Sequence, residues 1–297
     1  MRSAVPFSSW RGMCDTHVHV IGPHAQFALD SARRYTPSEA PRALLEGHLQ
    51  TVGANRVVIV QPSFYGTDNR CTLHAVAQLN AGGAGSAVQA RAVAVVAADI
   101  TDAELAQLHG AGVRGLRLNV HSGGHGVAAQ NTPRHISELA ARIAPFGWHV
   151  QVFAAAEQLA ELAPTFARLP VPVVLDHFGL LHASELNGAV GRAQVDLVGS
   201  GRAYVKLSAP HRASVLGGDY PDLAAVAQAF ARANPERLLW GSDWPHTHAD
   251  LTKSASEISP CRSMDAAHHL ALLRGWVDDD RVMRQTLIDN PAQLYGF

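Results

Sequence analysis

Residues 149–179 read HVQVFAAAEQLAELAPTFARLPVPVVLDHFG, and this stretch holds one complete unit of the pattern that decides the fold. HVQVF is a short run with β-branched residues, AEQLAELAPTFAR is an Ala/Leu-rich helical segment, and VPVVLDHFG returns to a β-branched run. PVVL is apolar without alternation, as expected of a strand covered on both faces. Strand, helix, strand in this order is the sequence form of a parallel sheet.

The same alternation extends over almost the whole chain. Strands are expected at 12–20, 57–63, 90–97, 112–120, 149–153, 171–179, 203–209 and 237–244. Helices are expected at 41–52, 68–80, 102–111, 132–144, 156–168, around 189, at 222–233, at 266–276 and near 281–288. Eight strands with helices between them predict an α/β fold, the (β/α)8 TIM barrel, because closure leaves no edge strands to protect. No linker rich in Pro, Gly or Ser separates two such arrays, so 1–297 reads as a single domain. A dinucleotide-binding sheet lacks its fingerprint, since no G-x-G-x-x-G follows the first strand and SGGHG at 122–126 is too short and misplaced.

Composition narrows the partners. A hydrophobic content of 47% with 16% charged residues suits a compact globule. A formal net charge of -1 offers no field for phosphate backbones or anionic lipid, so neither nucleic acid nor membrane is expected as a partner. Cys14, Cys71 and Cys261 are far apart, which suits a reducing compartment, and the expected location is cytoplasmic. The segment at 1–13 has no continuous apolar stretch of a leader.

In a barrel the reactive groups gather at the C-terminal strand ends. The first strand ends in C-D-T-H-V-H, where alternation puts His17 and His19 on one face. The sixth ends in V-V-L-D-H-F-G with Asp176 and His177, and the eighth in L-L-W-G-S-D-W-P-H with Asp243. Three imidazoles and a carboxylate converging from three strands form a candidate catalytic cluster. Arg117 ends the fourth strand and Arg212 follows the seventh, where guanidinium forks suit a substrate carboxylate; Arg114 lies earlier on its strand and is expected below the mouth.

D-T-H-V-H-V, V-V-I-V-Q-P-S-F-Y-G-T-D-N, G-V-R-G-L-R-L-N, V-L-D-H-F-G, Y-V-K-L-S-A-P-H-R, L-L-W-G-S-D-W-P-H and N-P-A-Q-L-Y-G-F occur in order along the chain. Together they resemble the lactonase branch of the amidohydrolase superfamily, over essentially the full length. The resemblance implies a hydrolase that opens a cyclic ester from aromatic or sugar catabolism. It implies Asp243 as general base and His17, His19 and His177 around the scissile carbonyl. It also implies Tyr35, Ser63 and Thr67 as substrate contacts beside Arg117 and Arg212. Members acting on a dicarboxylate carry further arginines where Gly123 and Leu180 stand here, and a tyrosine near Gln151 and Phe153. Fewer cations imply a small-molecule lactone with one acidic group, or a neutral sugar lactone.

The cofactor expectation is none or one divalent metal, with zinc feasible for a set of His17, His19, His177 and Asp243. A lysine-bridged pair of ions is not expected, since the fourth strand has no lysine and Lys206 lies on the seventh. The same core residues would also serve a metal-dependent decarboxylase of the superfamily, and a non-catalytic ligand-binding barrel is the alternative from another class.

Overall fold

The computed structural model describes residues 10–82, 87–120, 132–250 and 252–297; 122–126 and most of the leading segment lie outside the described residues. Eight strands form the main sheet, paired in parallel and in chain order. They are β1 (Cys14–Val18), β2 (Arg56–Val60), β3 (Gln89–Ala94), β4 (Val113–Asn119), β5 (His149–Phe153), β6 (Val173–Leu175), β7 (Ala203–Ser208) and β8 (Leu238–Gly241). The sheet closes on itself where Val18 bridges Trp244, the His19 N–H donates to the Trp244 carbonyl (2.7 Å) and the Asp243 N–H to the His17 carbonyl (2.9 Å). The outer helices are α1 (Arg42–Val52), α2 (Arg70–Asn80), α3 (Asp102–Gly110), α4 (Pro133–Ile143), α5 (Ala156–Phe166), α6 (Ala189–Gly199), α7 (Leu223–Ala233) and α8 (Ala266–Val277). The expected (β/α)8 barrel is therefore the observed one.

Several strands end sooner than their sequence suggests, and two of these early ends shape the site. The segment after β6 leaves the sheet because His177, Phe178, Gly179 and Leu180 all take positive φ, between 47° and 62°. Strand β8 stops at Gly241, and Asp243 sits beyond it at φ 66°. Helix α2 starts at Arg70 rather than at 68, since the Asp68 carboxylate accepts from the Arg70 N–H and the Asn69 side chain donates to the Thr67 carbonyl in the turn before it. The terminal helix is longer than expected: Asp280–Arg284 runs through a π-helical turn at Gln285–Asp289 into Asn290–Tyr295.

Alternation sorts the strand residues into an outer and an inner core. Val57 and Ile59 pack outward in the large cluster with the helices, while Val58 and Val60 pack inward with Val93, Val174, Tyr204, Leu239 and Tyr295. In β1 the pairing runs Cys14 to Arg56, Asp15 to Val57 and then Val18 to Ile59, so one extra residue is accommodated between Asp15 and Val18. Such a bulge re-aims side chains. Cys14 packs inward and Val18 outward, and the shift between them turns His17 and His19 into the barrel. Alternation correctly paired the two histidines; the bulge sets which way they face.

The barrel interior above its apolar base is polar. Arg117 pairs in register with Gln151, and Lys206 lies on β7, all three buried. Below them His149 lies opposite Gly115, where a Cβ would stand 2.4 Å from the imidazole Cε1. Tyr295 of the terminal helix meets His149 edge-on at 5.2 Å between ring centroids.

Gly115→Ala should destabilise the fold by about 1–3 kcal/mol through overpacking against His149. Thermal unfolding checks this, and an unchanged Tm would mean that the ring has room to move. Burial, reinforced by the Lys206 charge, pushes the His149 pKa down from 6.5 to about 3. The unfolded chain therefore takes up a proton between these limits that the folded chain refuses. The His149 contribution is complete above pH 6.5 and is lost as the pH falls towards 3, with a slope of at most about 1.4 kcal/mol per pH unit. Urea unfolding across that range should show a shallower acid decline in His149→Gln than in the parent; equal slopes would contradict the assignment.

Candidate active site

The bonds that close the barrel also build the site. The Asp15 carboxylate is fully buried between β1 and β8, where Oδ1 accepts from the backbone N–H of Ser242 (2.9 Å) and of His17 (3.2 Å). Its Oδ2 lies 3.0 Å from His48 Nε2 on α1. Thr16 adds a hydroxyl bond to the Trp240 carbonyl (2.7 Å). Gly241 permits this approach, since a Cβ there would stand 2.5 Å from the His17 Cβ.

Three imidazoles then surround one carboxylate oxygen. Asp243 Oδ1 lies 3.7 Å from His17 Nε2, 3.6 Å from His19 Nε2 and 3.8 Å from His177 Nε2. The other oxygen, Oδ2, accepts from Arg212 Nε at 3.2 Å. Each of these histidines and Asp243 is at most 5% exposed. All four sequence-selected groups are therefore brought to one point.

Their protonation follows from their surroundings. Burial, with the Lys206 charge next, pushes the His17 pKa down to about 4. Burial also takes His177 well below its ordinary range. For Asp243 burial acts in the opposite direction, yet the Arg212 guanidinium and the imidazoles around it hold the carboxyl well below the usual range. At neutral pH Asp243 is thus an anion beside neutral His17 and His177 rings. A carbonyl can only accept, so the contact of His19 Nδ1 with the Val60 carbonyl (2.7 Å) puts a proton on Nδ1 and turns Nε2 towards Asp243. His177 Nδ1 meets the Ser208 hydroxyl at 2.9 Å. His17 Nε2 is buried without a hydrogen-bond partner among the described residues.

Three ring nitrogens gathered round one anionic oxygen call for a proton or a cation between them. His17, His19 and Asp243 offer ligand atoms that all lie within 4.8 Å of one another, and nitrogen and carboxylate donors suit a zinc ion. The donor set therefore fits one divalent metal. Lys206 is not placed as a bridge between ions: its ammonium is fully buried beneath His17, donating to the Thr16 carbonyl and to Gln151 Oε1, each at 2.8 Å.

A cavity of about 540 Å³ opens above the cluster. His19, His177 and Asp243 form part of its wall, with Tyr35, Ser63, Arg117 and Arg212 among the expected substrate contacts. Thr67 is not brought there. It lies on a separate cavity beside α2 and α3, because the turn at Ser63–Tyr65 carries the chain away from the mouth. Arg114 spends its guanidinium on the His109 and Val113 carbonyls, away from the mouth. Arg117 donates to Asp176 Oδ2 (3.3 Å) and to the Gln61 carbonyl (3.3 Å), so it serves a buried network as well as the wall.

Two further guanidinium groups line the cavity that sequence reasoning missed, Arg34 and Arg262. They come from the loops after β1 and β8. Those loops are tied by a two-stranded parallel ladder, Thr36–Pro37 with Ile258–Ser259, and by the Thr36 hydroxyl bond to the Ala255 carbonyl (2.7 Å). Arg262 Nη2 lies 2.9 Å from His248 Nδ1. Adjacency to Tyr35 was a usable signal for Arg34; nothing local marks Arg262.

The Amidohydrolase family model matches residues 14–297. Over 298 aligned residues the chain is 34% identical to 2-pyrone-4,6-dicarboxylate hydrolase of Comamonas testosteroni, covering 96% of this chain and 90% of that protein. It is 32% identical to 4-sulfomuconolactone hydrolase of Rhizobium radiobacter, covering 99% of this chain and 94% of that one. Among solved structures, a probable 2-pyrone-4,6-dicarboxylic acid hydrolase from Acinetobacter baumannii with citric acid bound superposes with a TM-score of 0.77 at 27% identity, covering 96% of this chain and 100% of that one. A barrel whose first and sixth strands deliver three imidazoles to an aspartate that follows the eighth, matched over this length, belongs to the amidohydrolase family.

Proposed function

We propose that the protein hydrolyses an acidic small-molecule lactone, with Asp243 as the general base. The observation that carries this reading is Asp243 Oδ1, ionised and ringed by three Nε2 atoms at 3.6–3.8 Å, on the wall of the cavity. Relatives named as hydrolases of a pyrone dicarboxylate and of a sulfomuconolactone support the reaction class.

In this reading a water attacks the ring carbonyl carbon while Asp243 Oδ1 takes its proton, and Arg212 holds the carboxylate in place through Oδ2. The carbonyl oxygen gains charge in the tetrahedral intermediate and needs a stabilising group, which is the largest single requirement of acyl transfer. His17, His19, His177 and Asp243 would hold a divalent cation there, zinc by the donor types, and such an ion supplies Lewis-acid polarisation of a carbonyl. Cleavage of the ring C–O bond, with a proton returned to the departing oxygen, leaves a carboxylic acid and a hydroxyl group. Arg34 and Arg262 at the rim, added to Arg117 and Arg212 deeper in, suit a lactone with more than one anionic group.

Asp243→Asn keeps the shape but cannot take a proton, so kcat should fall by about two orders of magnitude or more while the protein remains folded. Proton release from a panel of lactones, followed with a pH indicator, checks this. Near-parental turnover would remove Asp243 from the chemistry, and carbon dioxide in place of acid equivalents would replace hydrolysis by decarboxylation. Dialysis against a chelator should abolish turnover and added zinc restore it; full activity after dialysis would assign carbonyl polarisation to imidazole N–H groups.

Arg262→Met preserves much of the stem and removes the fork. For a lactone bearing two acidic groups, KM should rise by roughly one to two orders of magnitude, the cost of a charge-assisted contact of about 1.5–3 kcal/mol. A neutral lactone should respond far less. Equal losses for both substrates would give Arg262 a structural role in the loop instead.

A further inference from the structure

We propose that Asp176 is a positioning residue that fixes the tautomer of His17, against a competing partner, Lys206. His17 Nδ1 lies 3.4 Å from Asp176 Oδ1 and 3.4 Å from Lys206 Nζ. The two neighbours ask for opposite states: the carboxylate needs a proton on Nδ1, and the ammonium needs a lone pair there.

The surrounding bonds decide between them. Two of the three ammonium protons are already placed, on the Thr16 carbonyl and on Gln151 Oε1. Asp176 Oδ2 likewise has its donors, Arg117 Nη2 (3.3 Å) and Gln151 Nε2 (3.2 Å). Oδ1 is buried and forms no hydrogen bond among the described residues; the nearest ring nitrogen that could turn an N–H towards it is His17 Nδ1 at 3.4 Å. A bare Nδ1 would satisfy Lys206 and leave a buried anionic oxygen orphaned. A protonated Nδ1 presents an N–H instead of a lone pair to that oxygen at 3.4 Å, and it leaves the third ammonium proton beside an attractive charge, with Lys206 Nζ 3.9 Å from Oδ1. The second arrangement keeps a ring lone pair from facing the buried anion, and an anionic oxygen without a donor is the expensive group to bury.

With the proton on Nδ1, the orphaned Nε2 of His17 directs its lone pair at the point where His19 Nε2 and Asp243 Oδ1 converge. The use made of that lone pair rests on the lactonase reading; the tautomer does not. Partners behind an imidazole that fix its tautomer commonly change activity or metal affinity by about 10–100-fold.

The test is long-range ¹H–¹⁵N correlation of histidine-labelled full-length protein near pH 7.5, with the His17 signals assigned by their absence in His17→Gln. The parent should show His17 protonated on Nδ1 and bare on Nε2. In Asp176→Leu only Lys206 faces Nδ1, so the proton should move to Nε2, and kcat should fall about 10–100-fold with KM within a few-fold. Lys206→Met should retain the parental tautomer. An Nε2-protonated His17 in the parent overturns the proposal even if neither variant folds. An unchanged tautomer in folded Asp176→Leu, or a flipped one in Lys206→Met, overturns it as well. A parental tautomer in a protein that opens no lactone would refute the proposed reaction and leave the positioning role standing.

Discussion

One carboxylate holds the barrel shut. Asp15 accepts from backbone donors of both the first and the last strand while its second oxygen engages His48 from the first helix. A buried anion in this setting is stable only because each oxygen has a donor. The consequence reaches past stability. His17 and His19 belong to one side of the seam and Asp243 to the other, so the bonds that join the strands also set the distances within the cluster. Closure and assembly of the reactive groups are a single structural event.

The charges beneath the site form a second tier. Asp176, Arg117, Gln151 and Lys206 occupy the barrel interior where aliphatic layers usually pack. Burial acts to raise Asp176, and His17, Arg117 and Lys206 together keep it well below the usual carboxylate range. Replacing the tier by apolar residues of equal volume would be neutral or favourable for stability alone. Its retention makes sense as support for the rings above.

Much of this was legible in the sequence because it depends on local pattern. The βα alternation gives the barrel, and strand-end position selects His17, His19, His177 and Asp243. What was not legible depends on register and on contacts distant in the chain. The phase of the first strand is set by a bulge that no residue type announces. The strand run through His177 was read too far because D-H-F-G looks extended, whereas its positive φ values form a turn. Thr67 follows Ser63 closely in sequence but faces another cavity, since a tight helical turn intervenes. Residue type and strand position do not show that Lys206 and Gln151 meet inside the barrel, which depends on the pairing of distant strands. The cations at the mouth were undercounted because Arg34 and Arg262 meet only through the short ladder between their loops.

That ladder has an evolutionary corollary. Barrel enzymes are usually pictured as scaffolds on which each βα loop diverges alone, and here the first and last loops are laced together by Thr36–Pro37 and Ile258–Ser259. A lengthened or shortened loop on one side would lose its partner strand on the other. Selection must therefore treat the two loops as one inherited module, and chimaeras that take their N-terminal and C-terminal halves from different parents would split it.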